Sequence, residues 1–180
     1  MERRDIRLFD LWQETVRMLT HEGILLCSMG NEGKPNVMTI GWATAGVVWG
    51  KPILVVYVRP TRFTFYYLEQ VPEFTVNVLP PEYAEALQFC GTASGRDVDK
   101  FARTGLKPVP ARKVKVPVIE QGVIHYECHI VHKSDLVPEN LVPELESVYP
   151  QKDYHRVYMG EVLAVYASED AREKLQRPLL

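Results

Sequence analysis

The chain has 180 residues, 46% of them hydrophobic, with 21 Lys and Arg against 23 Asp and Glu for a formal net charge of −2. That length and apolar content suit one compact domain spanning 1–180, and the near balance of charge excludes a global pull toward nucleic acid or an anionic membrane surface. The apolar runs stop well short of the ~18 residues of a membrane span, no secretory core follows the charged start Met1-Glu2-Arg3-Arg4-Asp5, and the odd, scattered cysteines Cys27, Cys90 and Cys128 argue for a reducing cytoplasm rather than a disulfide framework.

Residues 10–19 read as an amphipathic helix packing through Leu11, Thr15, Met18 and Leu19. Residues 23–29 read as a strand, and a turn at Gly30-Asn31-Glu32-Gly33-Lys34 leads into a second strand over 36–44. Strand period puts Asn36, Met38, Ile40 and Trp42 on one face of it and Val37, Thr39, Gly41 and Ala43 on the other. An amide, a thioether and an indole on one face suit the edge of a flat aromatic ligand as well as ordinary barrel packing. Residues 46–52 are expected to be a loop, followed by the apolar, β-branched strand 53–58.

Arg59-Pro60-Thr61-Arg62-Phe63-Thr64 comes next. Pro60 stops the strand, Thr61 is the expected N-cap, and residues 65–69 read as a short helix. Free backbone N–H groups and the helix dipole favour an anion there, and arginine forks match phosphate oxygens. The stretch points to a phosphate-bearing ligand, against the alternative of two solvated arginines at a surface turn.

Residues 73–80 read as a strand carrying Asn77 among apolar neighbours, where a buried amide needs partners from a ligand or from backbone. A short helix over 81–89 precedes the loop 90–101, whose Gly91, Gly95 and small hydroxyls let backbone approach a ligand closely, with Arg96 and Lys100 adding positive charge. Asp97 is the expected cap of a helix over 98–104 that Gly105 ends. The Gly-Lys-Ser/Thr ending of a Walker loop is absent.

Residues 112–118 read as a basic, valine-rich strand and 122–133 as a longer one. In a strand His125 and His129 share a face about 13 Å apart, too far for one metal ion at ~2.1 Å per nitrogen, so no metal site is assigned. Residues 135–154 form the longest irregular stretch, of a length that suits a lid, dimer arm or mobile segment. His155 opens a closing strand to about residue 166, leaving a core near 20–167 and a charged tail over 168–180.

Four blocks carry a family likeness: Asn36-Val37-Met38-Thr39 with Trp42; Arg59-Pro60-Thr61-Arg62-Phe63-Thr64; Phe74-Thr75-Val76-Asn77-Val78-Leu79; and Cys90-Gly91-x-x-Ser94-Gly95-Arg96-Asp97-x-Asp99-Lys100-Phe101. His155 with Gly160-Glu161-Val162 adds a fifth. In order and spacing the chain resembles the flavin reductase-like FMN-binding family, in its flavoredoxin-like branch. The resemblance implies a mainly β fold, a Greek-key split β-barrel with short flanking helices, forming a homodimer with FMN beside the interface. It implies that Arg59, Thr61, Arg62 and Thr64 surround the phosphate, that Asn36, Met38, Thr39 and Trp42 lie along the isoalloxazine, and that Asn77, Cys90, Ser94 and Arg96 complete the pocket with Lys100 nearby. The 135–154 loop does not align with the family residue by residue.

The cofactor then carries the redox chemistry, and the protein supplies binding and electrostatics. No Gly-x-Gly-x-x-Gly fingerprint is present, so NAD(P)H as reductant would approach the flavin without a Rossmann unit. Three classes follow: an NAD(P)H-dependent flavin reductase, an FMN electron carrier serving a protein partner, and a flavin-binding module without turnover. His155 is the candidate catalytic residue, expected at a barrel rim with an ordinary pKa of ~6.5 that allows a charged form near neutrality.

Overall fold

In the computed structural model, which describes residues 2–176, most of the regular structure is one curled antiparallel sheet. The strands are β1 (Arg3–Asp5), β2 (Ile24–Met29), β3 (Pro35–Ile40), β4 (Ala43–Val48), β5 (Lys51–Val58), β6 (Glu73–Val78), β7 (Pro108–Val109), β8 (Val118–Ile119), β9 (Ile124–Asp135) and β10 (Arg156–Ser168). The helices are α1 (Trp12–Thr20), α2 (Phe63–Gln70), α3 (Ala84–Thr92), α4 (Lys100–Thr104) and α5 (Ala171–Lys174). The main sheet runs β3-β2-β6-β9-β10-β5-β4, and β7 pairs with β8 apart from it. The first half of β10 pairs with β5 and its last residues with β1.

The two strands at opposite ends of the sheet order, β3 and β4, are consecutive in the chain and joined only by Gly41 and Trp42. The sheet must therefore curl until its edges approach at that corner, which leaves a barrel split along one seam. Both faces of β2 are covered, which explains its unbroken apolar run. Ile24 and Leu26 join the barrel core with Val76 and Tyr126, while Leu25 and Cys27 join a second core with Val37, Leu79 and Leu87 of α3. Fully burying such an aliphatic side chain contributes roughly 1.5–3 kcal/mol.

Several elements differ from the sequence expectation. The strand expected over 36–44 breaks at the Gly41–Trp42 corner. The expected loop 46–52 is a tight hairpin, with Trp49 (φ 54°) and Gly50 (φ 70°) as its two turn residues. Residues 112–116 are not a strand: their backbone donors go to carboxylates instead of a neighbouring strand. The N–H groups of Arg112 and Lys113 donate to Glu127 at 2.8 and 2.6 Å, and that of Lys115 donates to Glu73 at 2.7 Å. Asp99, not Asp97, caps α4 by accepting from the Ala102 N–H at 3.1 Å, and Gly105 ends it at φ 71°. The irregular stretch before β10 holds 3-10 turns at Pro138–Asn140 and Pro143–Val148. Of the expected tail, α5 is described and residues 177–180 lie outside the described residues.

Candidate functional site

Two adjoining cavities lie at the split. The first is walled by the start of α2, by Asn36 and Met38 of β3, and by the α3–α4 connection from Cys90 to Lys100. Arg62, not Thr61, is the N-cap residue of α2, and its extended backbone turns the chain into the helix. Among the described residues the Arg62 guanidinium makes no hydrogen bond or ion pair, although its charge is felt by Lys100 and His155. Lys100 is 5% exposed, and its ammonium donates to the Cys90 carbonyl at 2.8 Å. That satisfies one of three donors. Burial lowers its pKa, against the nearby Cys90 and with Arg62 adding to the effect. A buried cation with unmatched donors is costly unless an anion completes it.

The remaining polar groups are preorganised. The Asn36 amide donates to the Thr64 hydroxyl at 2.8 Å, so that hydroxyl's own proton is free to point elsewhere. Arg96 donates to the Thr61 carbonyl at 3.1 Å and lies over the Phe63 ring at 5.3 Å, and the Arg96 N–H donates to the Ser94 hydroxyl at 3.2 Å. The loop sits so close to β3 that a Cβ on Gly95 would come within 2.1 Å of the Asn36 amide oxygen. The Cys90 thiol is pushed up to about 11 by burial, against Lys100, so it stays protonated at neutral pH.

The second cavity is lined by Met38, Thr39, Trp42, Tyr57, Arg59 and His155, and shares Arg62 and Met38 with the first. The Trp42 and His155 rings lie 4.5 Å apart, with Tyr57 at 6.3 Å from Trp42. The Thr39 hydroxyl is used by the Leu87 carbonyl.

The structure brings Asn36, Met38, Thr39, Trp42, Thr61, Arg62, Thr64, Cys90, Ser94, Arg96, Lys100 and His155 to these two cavities. Arg59 reaches only the second, and its guanidinium is committed to the strap over 136–155. It pairs with Asp153 at 2.5 Å, donates to the Val148 carbonyl at 3.0 Å and lies over the Tyr149 ring at 4.9 Å. The Thr61 hydroxyl turns to Asp153 at 3.4 Å rather than capping α2. Asn77 is left out altogether, because its amide is consumed by the fold. Its oxygen accepts from the Ile119 N–H at 2.9 Å and faces His125 Nδ1 at 2.8 Å, while its nitrogen donates to Thr75. His155 is 9% exposed, and burial, then Arg59, push it down to about 4 against the opposing Asp153, with Arg62 adding to the lowering. The imidazole is therefore neutral at pH 7, where an ordinary pKa of ~6.5 would allow a charged form.

Sequence reading missed Tyr149, Asp153 and Tyr57. Tyr149 and Asp153 belong to the long irregular stretch before β10, and their only local signal was the aromatic density of Tyr149, Tyr154 and His155 in one loop. Among the described residues no group of three His, Cys, Asp or Glu side chains is placed to hold a metal ion.

The family model for the flavin reductase like domain matches residues 17–180. The chain belongs to this family. An uncharacterized protein of Pyrococcus abyssi is 31% identical over 163 residues, 89% of this chain and 82% of that protein. The flavoredoxin of Desulfovibrio vulgaris (Miyazaki F) superposes with a TM-score of 0.66 at 22% identity, covering 82% of this chain and 69% of that one. An FMN-binding domain of a flavin reductases-like enzyme from Shewanella baltica OS155 gives 0.66 at 20% identity, covering 92% and 77%. The split barrel is thus the fold of this flavin reductase-like family.

Proposed function

We propose that this chain binds FMN as a redox flavoprotein, with the phosphate in the Lys100 cavity and the ring system reaching the Trp42 cavity. One observation carries the reading: two cations without matching anions among the described residues, Arg62 and the buried Lys100, converge at the start of α2 beside an aromatic-lined cavity. The donor set suits a phosphate, because Arg62 and Lys100 supply charge and the Thr64 and Ser94 hydroxyls supply directed hydrogen bonds. The flavin would supply two-electron chemistry when bound. This chain's residues bind and orient it: Gly95 permits the close loop, Asn36 sets the Thr64 hydroxyl, and Trp42 and His155 bound the exposed end.

On this reading the protein passes electrons from NAD(P)H or a protein donor, through FMN, to an acceptor. A homodimer is part of the proposal, supported by apolar side chains left open on the β4–β5 hairpin, where Val47 and Trp49 are 66% and 63% exposed. A reducing cytoplasm is supported by three buried, unpaired cysteines. No helix among the described residues is long and apolar enough to cross a membrane.

The deciding experiment is fluorescence titration with FMN, then anaerobic mixing of the loaded protein with NADH and NADPH while flavin absorbance is followed. Saturable binding and bleaching by one nucleotide are expected. A protein that ignores FMN would falsify the reading, and one that binds FMN but is bleached by neither nucleotide would belong to the carrier class. Light scattering of the loaded protein is expected to give a dimer mass, and a monomer would remove that part.

A further inference from the structure

His155 touches the strap through one ring nitrogen and the second cavity through the rest of its ring. Its Nδ1 lies 2.8 Å from the Tyr149 hydroxyl. Tyr149 is 5% exposed, and burial raises its phenol above the ordinary value, with the Arg59 charge and the His155 backbone N–H opposing. The phenol therefore holds its proton at neutral pH. Among the described residues its hydrogen has no acceptor besides Nδ1. A neutral imidazole has one donor and one acceptor nitrogen. With Nδ1 accepting from Tyr149, the ring proton must sit on Nε2, which has no protein partner among the described residues.

We infer that Tyr149 is a positioning residue that locks His155 as the Nε2–H tautomer, turning the ring into a fixed hydrogen-bond donor toward the Trp42 cavity. The cavity then selects a planar conjugated molecule carrying a carbonyl oxygen at its edge. Trp42 lines the cavity with its ring, His155 offers one N–H, and the unpaired Arg62 favours electron-rich oxygen. A carbonyl of the bound flavin and the carboxamide of a nicotinamide share this chemistry. The inference rests on the proposed flavin site for its ligand, but not for the tautomer.

The groups that face His155 are Tyr149 and Asp153 from the strap, Arg59 at the end of β5, Arg62 before α2, and the Tyr57 phenol across the cavity. Removing the Tyr149 hydroxyl frees the Nδ1 lone pair, so the ring protonates more readily. Long-range proton–nitrogen spectra of histidine-labelled full-length protein at pH 7 read the tautomer directly, with His155 assigned by the signals that His155→Gln removes.

The expected wild-type pattern is a single Nε2–H tautomer, and Tyr149→Phe is expected to give a tautomer mixture with a titration moved toward the ordinary histidine range. An Nδ1–H form or an imidazolium in the wild type at pH 7, or an unchanged pattern in Tyr149→Phe, would overturn the inference. The wild-type spectrum decides alone if the variant does not fold. Adding FMN, then oxidised NAD, tests the ligand. A shift of the Nε2–H signal on FMN assigns it to the flavin, and a shift only on the nucleotide assigns it to the reductant. The absence of any shift in protein that demonstrably binds FMN overturns the donor role while leaving the flavin site intact. Tyr149→Phe is expected to slow reduction several-fold with the FMN Kd within about threefold.

Discussion

Arg59 and Arg62 stand three residues apart on one turn, yet the fold gives them opposite tasks. Arg59 is held on three sides by the strap, through Asp153, the Val148 carbonyl and the Tyr149 ring. Arg62 makes no hydrogen bond or ion pair among the described residues and shares its cavity with the under-satisfied Lys100. A cation already paired and partly desolvated has little left to offer an incoming anion, whereas an unpaired one at a helix start is ready to receive it. A basic motif thus divides between building a site and serving it, and the division is set by the partners the rest of the chain brings.

The largest effect is expected from Arg62→Ala. A charge-assisted contact contributes about 1.5–3 kcal/mol, so FMN affinity is expected to fall roughly ten- to hundred-fold while riboflavin affinity barely moves. Titrations with both ligands check this. Equal losses would mean that Arg62 acts through the fold and not through the phosphate.

Next in size is Asn77→Ala, which tests a residue the family likeness put in the pocket. Removing its amide leaves the Ile119 N–H and a His125 nitrogen without their partner inside the core. An unsatisfied buried donor costs about 1–3 kcal/mol, so denaturant midpoints should drop clearly while the FMN Kd of the folded protein stays the same. A selective loss of FMN affinity at unchanged stability would return Asn77 to the site.

These two residues also show how far the sequence could be read. Arg62, Thr64, Ser94, Arg96 and Lys100 were legible because helix starts, glycine loops and clustered cations are local signals. Asn77 was not, because its partners come from Ile119 and His125, more than 40 positions away. The valine-rich stretch 112–118 has strand composition, but Glu127 takes the donors a neighbouring strand would need. The split of the barrel turns on Gly41 and Trp42, where alternation continued in the sequence while the backbone changed edges. Arg59 looked like Arg62 because Asp153 lies 94 positions downstream in a loop with no repeating pattern.

A smaller effect is expected from His155→Ala. A neutral hydrogen bond contributes about 0.5–1.5 kcal/mol, so flavin reduction should slow about threefold to tenfold with the FMN Kd within about threefold. Because burial and Arg59 hold His155 down to about 4, the wild-type rate should show no histidine titration between pH 6 and 8. The same depression affects stability. The unfolded state binds a proton near the ordinary histidine value and the folded state does not, so this contribution is full above that value and is lost as pH falls from about 6.5 toward 4. His125, pushed down to about 3 by burial and the Arg3 charge, acts in the same direction. Stopped-flow reduction and thermal melts across pH 5–8 check both statements, and a rate that follows an ionisation near 6.5 would mean that the ring is charged in the working protein.

Arg59→Ala is expected to have only a small effect on cofactor affinity, in contrast to Arg62→Ala. Were Arg59 a phosphate ligand, its removal would cost FMN as much as Arg62→Ala does. In the structure its guanidinium faces Asp153, whose side chain is 13% exposed, and it covers Tyr149. Taking it away leaves that carboxylate short of its ion pair and the strap short of its anchor, a local penalty that falls on residues 136–155. The variant should lose at most about threefold in FMN affinity, since no contact of the charge-assisted kind is removed from the phosphate. It should become easier to cut by protease within the strap, because cleavage follows the population of locally opened chain. Its histidine titration should also move up, since Arg59 is among the charges that depress His155. Arg59→Lys keeps the charge without the fork and should recover the titration more fully than the protease resistance. A tenfold or larger loss of FMN affinity with an intact strap would erase the distinction between the two arginines.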